Sequence, residues 1–74
     1  MNTQELKGLL VAKGYTYSDI SNKLGISLTA FTRKMNGVTQ FKQDEIKNIS
    51  SILNLSDSQI ILVFFNNSVL NDTI

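Results

Sequence analysis

Four basic side chains, Lys23, Arg33, Lys34 and Lys42, fall between Ile20 and Gln43, and no acid lies among them. All six acids (Glu5, Asp19, Asp44, Glu45, Asp57 and Asp72) sit outside that window. A local excess of four positive charges in a chain of net charge +1 favours a polyanion, although a solvated polar stretch has the same composition. Interleaved with these cations are Ser27, Leu28, Thr29, Thr32 and Asn36. They offer hydroxyls, an amide and one apolar side chain, which suits recognition by contact better than bond making.

The remaining side chains point away from catalysis. There is no cysteine and no histidine, which removes disulfides, thiol nucleophiles, the commonest zinc ligands and the usual general base. Asp44 and Glu45 are neighbours that diverge by about 100° on a helix, so they make a poor acid/base pair. Without histidine they also make a poor metal site, and an acidic first helical turn explains them. No glycine-rich phosphate loop is present. The sequence predicts no catalytic residue, no metal and no cofactor, hence a protein that is not an enzyme.

The elements that must carry the polar set are read from periodicity. Seventy-four residues make one domain, in which folding buries only about 60% of the surface of the unfolded chain. A hydrophobic content of 42% argues against wholesale disorder. Asn2 or Thr3 caps a first helix bearing Leu6, Leu9 and Leu10, with Glu5 in capping-box position and Gly14 at its end. Thr16 caps a second, with Asp19 in its first turn and Ile20 and Leu24 four apart. Gly25 follows at once, Ser27 caps a third helix through Phe31 and Met35, and Gly37 closes it.

Residues 38–42 read as a loop whose Phe41 folds back to the core, and Ile46, Ile49, Ile52 and Leu53 mark a fourth helix ended by Asn54. Ser56 and Gln59 open a short fifth helix. The apolar run Ile60 to Phe65 suits either helix or strand, and residues 67–74 read as an extended or frayed tail after a domain over 1–66.

Two short helices joined across Gly25 meet the requirements of a helix-turn-helix. Ile20, Leu24, Ile26 and Phe31 are apolar where the helices touch, Ser21 is small where they cross, and Met35 extends the buried stripe. Ser27, Leu28, Thr29, Thr32, Arg33 and Asn36 then point outward from the third helix, which fits the major groove of DNA. Arg33 suits a bidentate contact to guanine or an ordinary solvated position. Asn36 suits adenine, but the Asn36-Gly37 pair favours the turn. Thr29 and Thr32 suit phosphates or thymine methyl groups, and Leu28 a thymine methyl or a protein surface.

The Leu24-Gly25-Ile26-Ser27 turn, the Asn36-Gly37 exit and the Phe41-Lys-Gln-Asp-Glu-Ile46 entry resemble the Cro and phage-repressor (XRE-type) helix-turn-helix family. The likeness is greatest to short regulators of temperate phages of low-GC Gram-positive bacteria. It implies an all-α, lambda-repressor-like domain of five helices with the third inserted in the groove. It further implies that Ser27, Leu28, Thr29, Thr32, Arg33 and Asn36 face bases, and that Thr16, Tyr17, Lys23, Lys34 and Lys42 touch phosphates. Tyr17 stands where the family often has glutamine, and Ser27-Leu28-Thr29 where strong base readers carry glutamine or arginine.

The implied function is operator occupancy on double-stranded DNA in a phage lysis–lysogeny switch. The alternative is an antirepressor or modulator that captures a partner repressor through the same fold. Residues 60–74 carry more apolar side chains than one small core can absorb, which suggests a homodimer through them. No window approaches the roughly 18 apolar residues of a membrane span, and the first residues lack a basic-then-apolar signal pattern. The expectation is a cytoplasmic protein of a bacterial host, with no membrane partner and no small-molecule substrate.

Overall fold

The computed structural model describes residues 1–65, and they are all-helical. The helices are α1 (Thr3–Ala12), α2 (Tyr17–Leu24), α3 (Leu28–Met35), α4 (Gln43–Ile52) and α5 (Asp57–Ile60), and no strand occurs among the described residues. One π-helical turn, Ile61–Phe65, continues α5. The expected tail over 67–74, and the part of the 60–74 segment beyond Phe65, lie outside the described residues. No described helix is long and apolar enough to cross a membrane.

Local chemistry fixes both ends of each long helix. Asn2 Oδ1, Thr16 Oγ1 and Ser27 Oγ accept the backbone N–H groups of Glu5, Asp19 and Ala30 at 3.1, 3.0 and 3.0 Å, satisfying donors that the helix cannot. At the other ends, α1 to α4 close with the same pair of reversed hydrogen bonds. After α2, Gly25 donates to Asn22 O and Ile26 to Ser21 O, both at 3.1 Å. This closure requires a left-handed residue, and Gly25 supplies it at φ 76°. A Cβ on Gly25 would meet no atom within 4 Å. The glycine therefore serves the backbone angle, and the small residue that α2 buries is Ser21, whose hydroxyl donates to Ser18 O at 2.9 Å.

The core gathers Leu6 and Leu10 from α1, Ile20 from α2, Phe31 and Met35 from α3, Ile49 and Leu53 from α4 and its end, and Val63 and Phe64 from the last turn. An edge-to-face aromatic series runs Tyr17, Phe31, Phe41 and Phe64, with successive ring centroids 5.2, 5.8 and 6.0 Å apart. Phe41 thus does return to the core from its loop. The run from Ile60 is helical rather than extended, and it divides as helix geometry demands: Val63 and Phe64 are buried, while Ile61, Leu62 and Phe65 are exposed. The Asn2 N–H bonds Val63 O at 2.6 Å, so the last turn is tied to the start of α1.

Candidate nucleic-acid interface

The eight residues of α3 divide into two faces. At about 100° per residue, Leu28, Thr29, Thr32, Arg33 and Asn36 fall within roughly 140° of arc, with Phe31 and Lys34 opposite. Burial follows that division. Phe31, Lys34 and Met35 are buried; Leu28, Thr29, Arg33 and Asn36 are exposed, and Thr32 is half-buried. Ser27 precedes the helix on the exposed side as its cap. The six residues expected to face bases therefore form one contiguous surface at the solvent side of the second helix of a helix–tight turn–helix unit.

Several groups on this surface already have partners. Thr32 Oγ1 donates to Leu28 O at 2.8 Å, and Ser27 Oγ accepts the Ala30 N–H. Asn36 is the C-cap residue of α3, and the helix closes beyond it as Val38 donates to Arg33 O at 2.9 Å. The turn role of the Asn36-Gly37 pair is thus real, and it leaves the Asn36 side chain exposed. Arg33 is the one exposed cation on α3.

The residues expected at phosphates are spread over three elements. Thr16 caps α2 and Tyr17 opens it, and the Tyr17 ring rests edge-on against Phe31, so the tyrosine has a packing role. Thr16 is exposed, and its N–H and hydroxyl form a reciprocal pair with Asp19, each contact at 3.0 Å. These bonds from the Thr16 backbone and side chain hold the Asp19 carboxyl below the ordinary aspartate value; burial opposes this slightly and Lys23 adds a weaker pull downward. Lys23, in the last turn of α2, and Lys42, at the cap of α4, are both exposed.

Lys34 departs from its expected place. Its ammonium lies 3.1 Å from Glu45 Oε1, donates to Gln40 O at 3.2 Å and sits 5.9 Å from the centre of the Phe41 ring. The side chain is buried against the start of α4, and its charge is met by Glu45 rather than presented to solvent. It lines a cleft of about 430 Å³ with Met1, Gln40, Phe41, Ile46 and Phe64, on the side of α3 away from the outward face. The expectation of a phosphate-facing Lys34 is corrected on this geometry. Arg33 and Lys34 are adjacent in sequence but about 100° apart on the helix, so a face that presents one turns the other inward.

Glu45 was read only as an acid favourable to a helix start. It also accepts the Lys42 N–H at 2.8 Å, closing α4, and so joins that cap to the ion pair with α3. Among the described residues no group of three or more His, Cys, Asp or Glu side chains comes together as a metal site.

No curated protein and no solved structure matches the chain. A family model, the BetR domain, matches residues 3–72. That span covers all five helices, and the chain belongs to the BetR domain family, a small helical, helix-turn-helix-like domain.

Proposed function

We propose that the protein is a sequence-specific regulator of Cro type that binds double-stranded DNA by laying α3 in the major groove. It acts by occupying an operator, as in a phage lysis–lysogeny switch within the bacterial cytoplasm, and carries out no catalysis. The observation that carries this reading is the outward face of α3. It is contiguous, free of acids, capped at both ends and held from behind by Phe31, Met35 and the Lys34–Glu45 pair. Ser27, Leu28, Thr29, Thr32, Arg33 and Asn36 read bases in this scheme, and Thr16, Tyr17, Lys23 and Lys42 contact the backbone.

The ion pair sets an expectation for salt dependence. With Lys34 engaged internally and Arg33 on the base-reading face, Lys23 and Lys42 are the cations of the central window available to phosphates. The slope of log affinity against log salt from these two is then about −1.8 per protomer. Fluorescence anisotropy on duplexes from the gene's own neighbourhood tests this. Lys23→Gln or Lys42→Gln flattens the slope by about 0.9. Absence of binding at low salt rejects the reading.

Two copies pairing through residues 60–74 match the two-fold symmetry of an operator, and exposed Ile61 and Leu62 supply apolar surface within the described part of that segment. Sedimentation at micromolar concentration is expected to give twice the 8.3 kDa chain mass. The same exposed residues, with Leu28 at 49% exposure, favour a second reading in which the domain captures a partner repressor. Arg33→Ala separates the two readings. Loss of DNA retention supports the regulator, whereas retained DNA binding with loss of co-purification with the adjacent regulator supports the modulator.

A further inference from the structure

We infer that the face of α3 selects thymine through its C5 methyl group, with Leu28 and the γ-methyl of Thr32 as the specificity-determining contacts. This rests on the DNA-binding reading above and deepens it to the class of base pair recognised. The basis is which hydrogen-bonding positions on the face are already filled.

Thr32 Oγ1 has one proton, and it goes to Leu28 O at 2.8 Å. The hydroxyl therefore has nothing to donate to guanine N7 or O6, to adenine N7 or to thymine O4. What the half-buried side chain has left for a partner is a lone pair and its γ-methyl group. Leu28, 49% exposed, offers no polar atom at all. These two side chains stand four residues apart on one side of the helix, where Cβ atoms are about 5–6 Å from each other. Together they make an apolar strip along α3, and Arg33, the neighbour of Thr32, carries the charge at its edge.

In the major groove, thymine alone presents a methyl group, so an apolar strip separates T·A from C·G without a hydrogen bond. Base pairs rise by about 3.4 Å, so a strip of this length reaches two successive pairs. The predicted half-site holds two adjacent thymine-bearing pairs under the first two turns of α3.

The test begins by selecting duplexes from a pool with a randomised core, then resynthesising the enriched site with deoxyuridine in place of each thymine, which removes the methyl group alone. Two replacements per half-site are expected to weaken binding about fourfold each. Leu28→Ala is expected to abolish the sensitivity at one position. At the other, Thr32→Val keeps it and Thr32→Ser removes it. Leu28 is exposed and Thr32 half-buried, and thermal melting of each variant checks that the fold persists. An enriched site indifferent to deoxyuridine overturns the inference and leaves DNA binding standing. So does a Thr32→Val variant that fails to bind while Thr32→Ser binds normally. A pool that shows no enrichment overturns the inference together with the DNA-binding reading.

Discussion

At the scale of single residues, the Lys34–Glu45 pair shows how one contact can serve two elements. Glu45 Oε1 receives both the Lys34 ammonium and the Lys42 N–H, so removing the carboxylate strips a cation of its partner and a helix of its cap. Glu45→Ala is expected to destabilise the fold by about 2–3 kcal/mol, below the ~3–5 of a fully enclosed pair because both side chains keep slight solvent access. Lys34→Met should cost less, since it keeps apolar packing against Phe41 and leaves Glu45 its cap bond. Urea denaturation of the two variants checks the order. Asp19 makes a second, pH-dependent case. Its carboxyl is held below the ordinary aspartate value by Thr16, so its contribution is fully present above that value and disappears as pH falls through the lowered one. The melting temperatures of the wild type and Asp19→Asn are therefore expected to differ at neutral pH and to converge on acidification.

At the scale of elements, helix termini were the most legible feature of the sequence. Thr16, Ser27 and Ser56 stand at the caps assigned to them, and of the alternatives Asn2 and Thr3 it is Asn2 that caps α1, because capping depends on side chains only three residues apart. Gly25 was legible as a turn, but not in its physical role. It was read as the joint between two short helices, and its work there is the left-handed angle. Gly25→Ala is accordingly expected to lose about 1–2 kcal/mol from backbone strain, with no steric clash to add. The urea midpoint should fall while the far-ultraviolet circular dichroism of the folded state stays unchanged. The sequence was ambiguous over 60–65 because isoleucine, valine and phenylalanine suit both periodicities. Contact with α1 decides it, through the bond from Asn2 to Val63 that no local pattern signals. Lys34 was misread for a related reason. Counting charges along a window ignores the rotation between neighbours, and the partner that draws this lysine inward lies on another helix.

At the scale of the whole molecule, the fold separates a packed interior from the outward face of α3. The aromatic series from Tyr17 to Phe64 joins α2, α3, the loop before α4 and the last turn, so the backing of α3 reaches to the far end of the described chain. Val63 is fully buried, and Val63→Ala is expected to destabilise by roughly 2 kcal/mol. Ile61→Ala, two residues away on the exposed side, should stay within about 0.5 kcal/mol when the folding of the isolated protomer is followed. The central claim is that the outward face of α3 is the surface that meets DNA. Backbone amide shifts of isotopically labelled protein, titrated with the selected duplex, test it most directly. The account predicts the largest changes from Ser27 to Arg33, at Asn36, and at the start of α2. Changes confined to Ile61 and Leu62, or to the cleft beside Lys34, would contradict it.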